Sequence, residues 1–180
     1  MDNVYRELLL GCGSNWEKKL STSQQDDGWQ NLITLDYYEG HSPHVVHDLR
    51  DHPLPFPDNY FDEIHAYEVL EHLAQQGDYE FFFSEWNEYY RILKPGGMFF
   101  GTVPRRDSVW AYGDPSHTRI IVPENFVFLN QGAYEAQVGK TPMSDFRHIY
   151  NGDFDVIAVD ATQGGDSMAF ILEAINKIIT

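Results

Sequence analysis

Short apolar runs, broken by polar stretches rich in glycine and proline, set the predicted elements along the chain. Tyr5 to Leu10 has strand length and ends abruptly in Gly11-Cys12-Gly13. Asn31-Leu32-Ile33-Thr34-Leu35 is a second run closed by Asp36, and Val45-Val46 is a short third leading to Asp48. Pro53 to Pro57 fits neither helix nor central strand, because proline has no N–H to donate. Phe61 to Tyr67 predicts a fourth strand with Ile64 and Ala66 on one face. From Asp78 to Lys94 the period changes: Tyr79, Phe82, Phe83, Trp86, Tyr90 and Leu93 recur at helical spacing and form an apolar stripe. Asp78 is the predicted N-cap, Lys94 suits the negative helix end, and Pro95-Gly96-Gly97 stops the helix. Met98 to Val103 follows as a fifth strand, apolar enough for burial on both faces.

Outside these runs the pattern is looser. Trp16 to Leu20 predicts one or two helical turns, and Ser21 to Asp27 a polar loop. Arg105 to Thr118 reads as loop and Pro123 to Leu129 as a short helix. Phe154 to Asp160 and Met168 to Leu172 read as two strands closing an antiparallel hairpin through Gln163-Gly164-Gly165-Asp166, although Met168 to Ile179 also fits a helix. Strand, helix, strand in repetition predicts an α/β chain with a mostly parallel seven-stranded sheet and right-handed crossovers. In such sheets ligands bind beyond the carboxyl ends of the strands. Gly11-Cys12-Gly13, Asp36, Asp48, Tyr67-Glu68 and Pro104 all fall there. Glycine admits close backbone approach, and an acid at the next strand's tip accepts hydrogen bonds from ribose hydroxyls, so the pattern describes a nucleotide cradle.

Composition narrows the classes. The chain's 180 residues suit one domain with a full core. Lys plus Arg number 12 against 28 Asp plus Glu, a net charge of −16 that opposes binding to naked nucleic acid. The single cysteine, Cys12, excludes an internal disulfide and a multi-cysteine zinc site, and no metal ligands are assigned from the sequence. No apolar stretch reaches the ~20 residues of a membrane span, and the N-terminus lacks a signal-peptide pattern, so a cytoplasmic protein is expected.

In order and spacing, residues 5 to 104 resemble the class I S-adenosylmethionine-dependent methyltransferases, within them the small methyltransferase-11-like group. Leu10-Gly11-Cys12-Gly13 is similar to the first cofactor motif and Leu35-Asp36 to the second. His47-Asp48-Leu49 with Leu54-Pro55-Phe56 resembles the third. Phe61-Asp62-Glu63-Ile64 running into Val69-Leu70-Glu71-His72-Leu73 resembles the fourth strand and the helix after it. Arg91-Ile92-Leu93-Lys94-Pro95-Gly96-Gly97 is the most distinctive match. The resemblance implies a single Rossmann-like domain over 1–180, with helices on both faces of the sheet and a C-terminal antiparallel hairpin. Its cofactor half would be about 1–104, and its acceptor-side loops and hairpin about 105–180. It also implies S-adenosylmethionine as cofactor, with Asp36 on the ribose and Asp48 on the adenine amine. Gly11, Cys12, Gly13, Tyr37, Leu49, Tyr67 and Glu68 complete the implied cofactor site. Two departures stand out: Leu9 replaces the acid often found two residues before the first glycine, and no third glycine follows Gly13.

Methyl transfer from a sulfonium needs alignment and exclusion of water more than it needs acid–base help. A base matters only where the acceptor must lose a proton, and His72 and His117 are the candidates. Each also fits a structural role, His72 in a helix and His117 in a loop contacting backbone. Cys12, between two glycines, reads as a small packing residue rather than a nucleophile. Arg105, Arg106, Arg119, Lys140 and Arg147 give a local cationic bias that suits an anionic acceptor, unless they pair with Asp107, Asp114 and Asp145. The motifs that resembling DNA base methyltransferases carry are absent, which leaves a small-molecule, sugar or peptide acceptor. Two other readings are a catalytically silent cofactor-binding or scaffold module and a nicotinamide-dependent oxidoreductase. The latter calls for Gly-x-Gly-x-x-Gly, and Trp16 occupies the third glycine position.

Overall fold

The computed structural model describes residues 4–22, 28–160 and 165–176. Among them seven strands form one sheet: β1 (Glu7–Leu10), β2 (Leu32–Asp36), β3 (Val45–Val46), β4 (Phe61–Tyr67), β5 (Leu93–Pro104), β6 (Phe154–Asp160) and β7 (Ser167–Ala174). Their order is β3-β2-β1-β4-β5-β7-β6. The first five pair in parallel, and β7 runs antiparallel between β5 and β6. Met168 to Leu172 is therefore strand, and the alternative helix there is not formed. The order reverses between β1 and β4, which opens a crevice at their carboxyl ends. The predicted turn at Gln163-Gly164 lies outside the described residues, as does most of the predicted loop from Ser21 to Asp27.

Helix α1 (Tyr79–Ile92) begins where Asp78 accepts from the Phe81 N–H at 3.1 Å, as its N-cap position predicts. Its buried stripe is Phe83, Trp86, Tyr89 and Ile92, so Tyr89 and not the exposed Tyr79 completes the inner face. Trp86 packs against Phe99 of β5 and Phe154 of β6, with ring centroids 5.0 and 5.5 Å apart. Leu8, Leu10, Leu35, Ile64 and Ala66 extend this core under the parallel strands. The helix stops at Ile92, and Leu93 already pairs with Phe61. Lys94 therefore serves no helix end; its ammonium binds Asp62 at 2.6 Å. Two further helices are short: α2 (Trp110–Gly113) and α3 (Gln131–Gln137), the latter capped by Asn130. Pro123–Leu129 is a 3₁₀ stretch whose Phe126 and Leu129 join the same core.

The opposite face of β1 and β4 is covered differently. It presents Glu7, Leu9, Glu63 and His65, all buried. Trp16 to Leu20, predicted as helical turns, forms no helix and runs as an irregular strap. The reason is chemical: buried carboxylates need donors, and the apolar face of a helix has none. The strap supplies them. Lys18 Nζ donates to Glu7 Oε1 and stands 3.1 Å from Glu63 Oε2, and the Gln30 N–H donates to Glu7 Oε2. Tyr5 donates to Glu63 Oε1 at 2.6 Å, and His65 Nε2 to Glu63 Oε2 at 2.9 Å. Burial alone would raise Glu63, but the hydrogen bonds from His65, Tyr5 and Lys18 outweigh it and hold the group well below the usual carboxylate range.

Candidate functional site

At the carboxyl end of β1 the chain enters the left-handed region twice, at Gly11 (φ +54°) and Gly13 (φ +53°). A Cβ on Gly11 would lie 2.6 Å from Val69 Cγ2, so only glycine lets this turn pass the segment after β4. Between the glycines, the Cys12 N–H donates to the Leu35 carbonyl at 3.1 Å, tying the turn to β2. Burial first, then the Asp36 charge, pushes the Cys12 thiol up, which agrees with a packing residue. Asp36 is buried at the tip of β2. Its Oδ2 accepts from the Gly13 N–H at 2.9 Å and its Oδ1 from the Tyr38 N–H at 2.8 Å. A carboxylate has about four lone-pair sites, so lone pairs remain for ligand hydroxyls. His41 Nδ1 stands 3.1 Å from Asp36 Oδ2.

These residues line a cleft of about 460 Å³, a size typical of small-molecule sites. Gly11, Gly13, Asp36, Tyr37, Asp48, Leu49 and Glu68 all face it, as does His72. Cys12 and Tyr67 do not. Tyr67 turns to the strap face: its hydroxyl donates to His65 Nδ1 at 2.7 Å and accepts from the Lys19 and Leu20 N–H groups, both at 3.2 Å. Burial there pushes its pKa up to about 12. Asp48 meets Arg50, which donates from Nε at 2.9 Å and from Nη2 at 2.6 Å. Those hydrogen bonds hold the Asp48 carboxyl below its ordinary value. Glu68 sits at φ +56°, uncommon for a residue with a Cβ, and its buried Oε1 has no hydrogen-bond partner.

The turn, the acid on β2 and the cleft at the reversal of strand order would suit any nucleotide-like ligand, and comparison with known proteins decides among them. Residues 8–101 match the family described as "Methyltransferase domain", about half of the chain. This chain belongs to that family. Over 124 residues the methyltransferase chain is 32% identical to a probable S-adenosylmethionine-dependent methyltransferase of Mycolicibacterium smegmatis, an alignment covering 62% of this chain. It spans 44% of that curated relative's length. Its fold is similar to the crystal structure of a SAM-dependent methyltransferase from Archaeoglobus fulgidus, with TM-score 0.59, 18% identity, and coverage of 95% of this chain and 86% of the other. One from Aquifex aeolicus gives TM-score 0.57 and 13% identity, over 95% and 82% of the two chains. The glycine turn and Asp36 fit a cofactor bearing a ribose: a Cβ-free cradle adjoins a buried carboxylate with lone pairs to spare.

The two predicted histidines of the methyltransferase chain come together. Their rings stand edge to face with centroids 4.6 Å apart. His72 is half-buried on the cleft wall, while His117 lies behind it, nearly buried. Burial, with His117 beside it, lowers the His72 pKa from its ordinary value. Glu71, absent from the predicted site, lies under both rings, and its pKa is pushed up to about 8 by burial, with the neighbouring Glu68 adding to the effect. His41, Arg50 and Ser116 also line the cleft, and no local motif marks them. Three of the five cations behind the predicted bias are paired. Arg105 pairs with Asp107 and Arg147 with Asp145, at 2.8 and 2.7 Å, and Arg119 is buried against Glu85 at 2.6 Å. Arg106 and Lys140 have no such carboxylate partner among the described residues, so the bias toward an anionic acceptor rests on those two. No helix among the described residues is long and apolar enough to cross a membrane.

Proposed function

We propose that the cleft binds S-adenosylmethionine and that the chain transfers its methyl group to a small-molecule, sugar or peptide acceptor. The observation carrying this reading is Asp36: a buried carboxylate, fixed by the Gly13 and Tyr38 N–H groups, at the edge of the glycine turn. Asp36 would hold the ribose hydroxyls, and Asp48, steadied by Arg50, the adenine amine. The cofactor supplies an activated methyl on sulfur, which the acceptor displaces in line. What the chain contributes is alignment and a dry wall. Leu49, Val69 and Leu73 give the cleft its apolar lining, while Glu68 and His72 mark the end where an acceptor enters.

The nicotinamide reading loses its support at Trp16, which fills the third glycine position and donates its indole N–H to the Gly13 carbonyl at 3.2 Å. A transfer assay with methyl-labelled cofactor against panels of small acids, sugars and peptides tests the proposal. Label in an acceptor is the expected result. Cofactor binding with no labelled product across all panels would favour the silent binding module.

A further inference from the structure

We propose that Glu71, His72 and His117 form a site for a divalent first-row transition ion such as Zn²⁺, in the cleft wall beside the acceptor end. The hydrogen-bond chemistry around the two rings leads there. His117 Nδ1 is 2.8 Å from the Trp110 carbonyl, which only accepts, so Nδ1 carries a proton and the neutral ring has its lone pair at Nε2. The Ser116 hydroxyl donates to Asp114 Oδ1, so the Ser116 oxygen receives the Nδ1–H of His72 at 3.1 Å. His72 Nε2 is thereby a lone pair as well. Both Nε2 atoms face Glu71 Oε1, at 3.8 Å from His117 and 4.0 Å from His72. The Glu71 side chain is 2% exposed, and neither of its oxygens has a hydrogen-bond partner.

Once Glu71 is ionised, three acceptors converge with no hydrogen bond among them, an arrangement a buried carboxylate holds only at a cost, and without a cation that cost keeps the Glu71 proton in place. A cation satisfies all three. The nearby guanidinium of Arg119 donates from Nη2 to Glu85 and from Nε to the Leu70 carbonyl, at 2.6 and 2.7 Å, and its Nη1 makes no hydrogen bond to Glu71. One ligand atom from each of the three residues lies within 4.8 Å of the others. Two ligands on a tetrahedral ion with bonds near 2.1 Å stand roughly 3.4 Å apart, so closure needs only small side-chain movements. Each imidazole is already oriented through its other nitrogen, His117 by a carbonyl and His72 by the Ser116–Asp114 relay, as metal-bound histidines are. Two neutral imidazoles and a carboxylate suit zinc and its neighbours better than magnesium or calcium. His72 is the one ligand of the three that lines the cleft, so the ion would meet an acceptor oxygen on the His72 side. This deepens the proposed function and rests on it only for that last step: the two rings would act as ligands, with the ion favouring loss of the acceptor's proton.

The test is a titration of metal-free, full-length protein with Co²⁺, followed by heat and by visible absorption. One saturable equivalent with a ligand-field band, displaced by Zn²⁺, is expected. Glu71→Gln, His72→Gln and His117→Gln should each weaken binding by at least about tenfold and alter the band, while circular dichroism reports a retained fold. Absence of a saturable site would overturn the proposal, and is what a proton held between Glu71 and His117 would give. So would binding of equal strength and spectrum in all three variants. The titration contains no methyl donor, so its failure leaves the methyl-transfer reading standing, and failure of the transfer assay leaves the ion site standing.

Discussion

Among the described residues, two clusters of carboxylate and imidazole differ in what stands at their centre. Under the strap, Glu7, Glu63 and His65 close around the Lys18 ammonium, and the hydrogen bonds form a consistent chain from Lys18 through Glu63 and His65 to Tyr67. Beside the cleft, Glu71, His72 and His117 converge with no hydrogen bond to either Glu71 oxygen. Both are built from glutamate and histidine with polar atoms within 4.8 Å of one another, two carboxylates and one imidazole in the first, one carboxylate and two imidazoles in the second. A buried acidic cluster is thus structural where the chain supplies its own cation. Where the nearest cation, Arg119, is held by Glu85 instead, the proposed ion takes its place.

The largest effect is expected from taking the cation out of the first cluster. Lys18→Met takes the ammonium from two buried carboxylates, leaving them only the donors Tyr5, His65 and the Gln30 N–H, and should cost about 3–5 kcal/mol, read from urea unfolding. A loss under about 1 kcal/mol would mean the ammonium does not hold the strap, and the contrast between the clusters would fail. Next comes Asp36, where donors surround a carboxylate that still has lone pairs to offer. Asp36→Ala should weaken S-adenosylmethionine binding by about 1.5–3 kcal/mol, the range for hydrogen bonds to a charged group, in a protein that remains folded by circular dichroism.

The two clusters should also respond oppositely to pH. Burial depresses His65, so the unfolded chain binds its proton first, and stability falls as pH drops below about 6.5. His65→Gln should flatten that acid limb. For Glu71 the folded value is raised to about 8, so the metal-free fold holds its proton longer than the unfolded chain does, and stability falls as pH rises from about 4.5 to 8. Glu71→Gln should therefore gain stability relative to the parent at alkaline pH, measured by thermal unfolding across the range. The smallest effect is expected at Asp48. Asp48→Ala removes one adenine contact worth about 0.5–1.5 kcal/mol and should lower cofactor affinity by that much in calorimetry.

Whether an element is legible in the sequence depends on how local its signal is. The glycine turn, Asp36 and Asp48 are legible because strand ends in an alternating α/β chain mark the ligand side. Helix α1 is legible through its aromatic period and Asp78 cap, whereas α3 is not, since Gln131–Gln137 carries little apolar patterning and only Asn130 signals its start. The strap is invisible in sequence because Lys18 acts from an aperiodic segment on residues far along the chain. Tyr67 could have been placed by the alternation itself: it shares the face of Glu63 and His65, opposite Ile64 and Ala66, and so turns away from the cleft. Glu71 adjoins a histidine that the sequence singles out, but its burial without a donor is a fact of three dimensions.

Everything said of the cleft beside Gly11, Gly13 and Asp36 depends on its being an S-adenosylmethionine site. Isothermal titration of the full-length protein with S-adenosylmethionine, and separately with NADH, decides that point. One-to-one heat with the methyl donor and none with the nicotinamide cofactor is the expected result. Binding of NADH with no response to S-adenosylmethionine would contradict it.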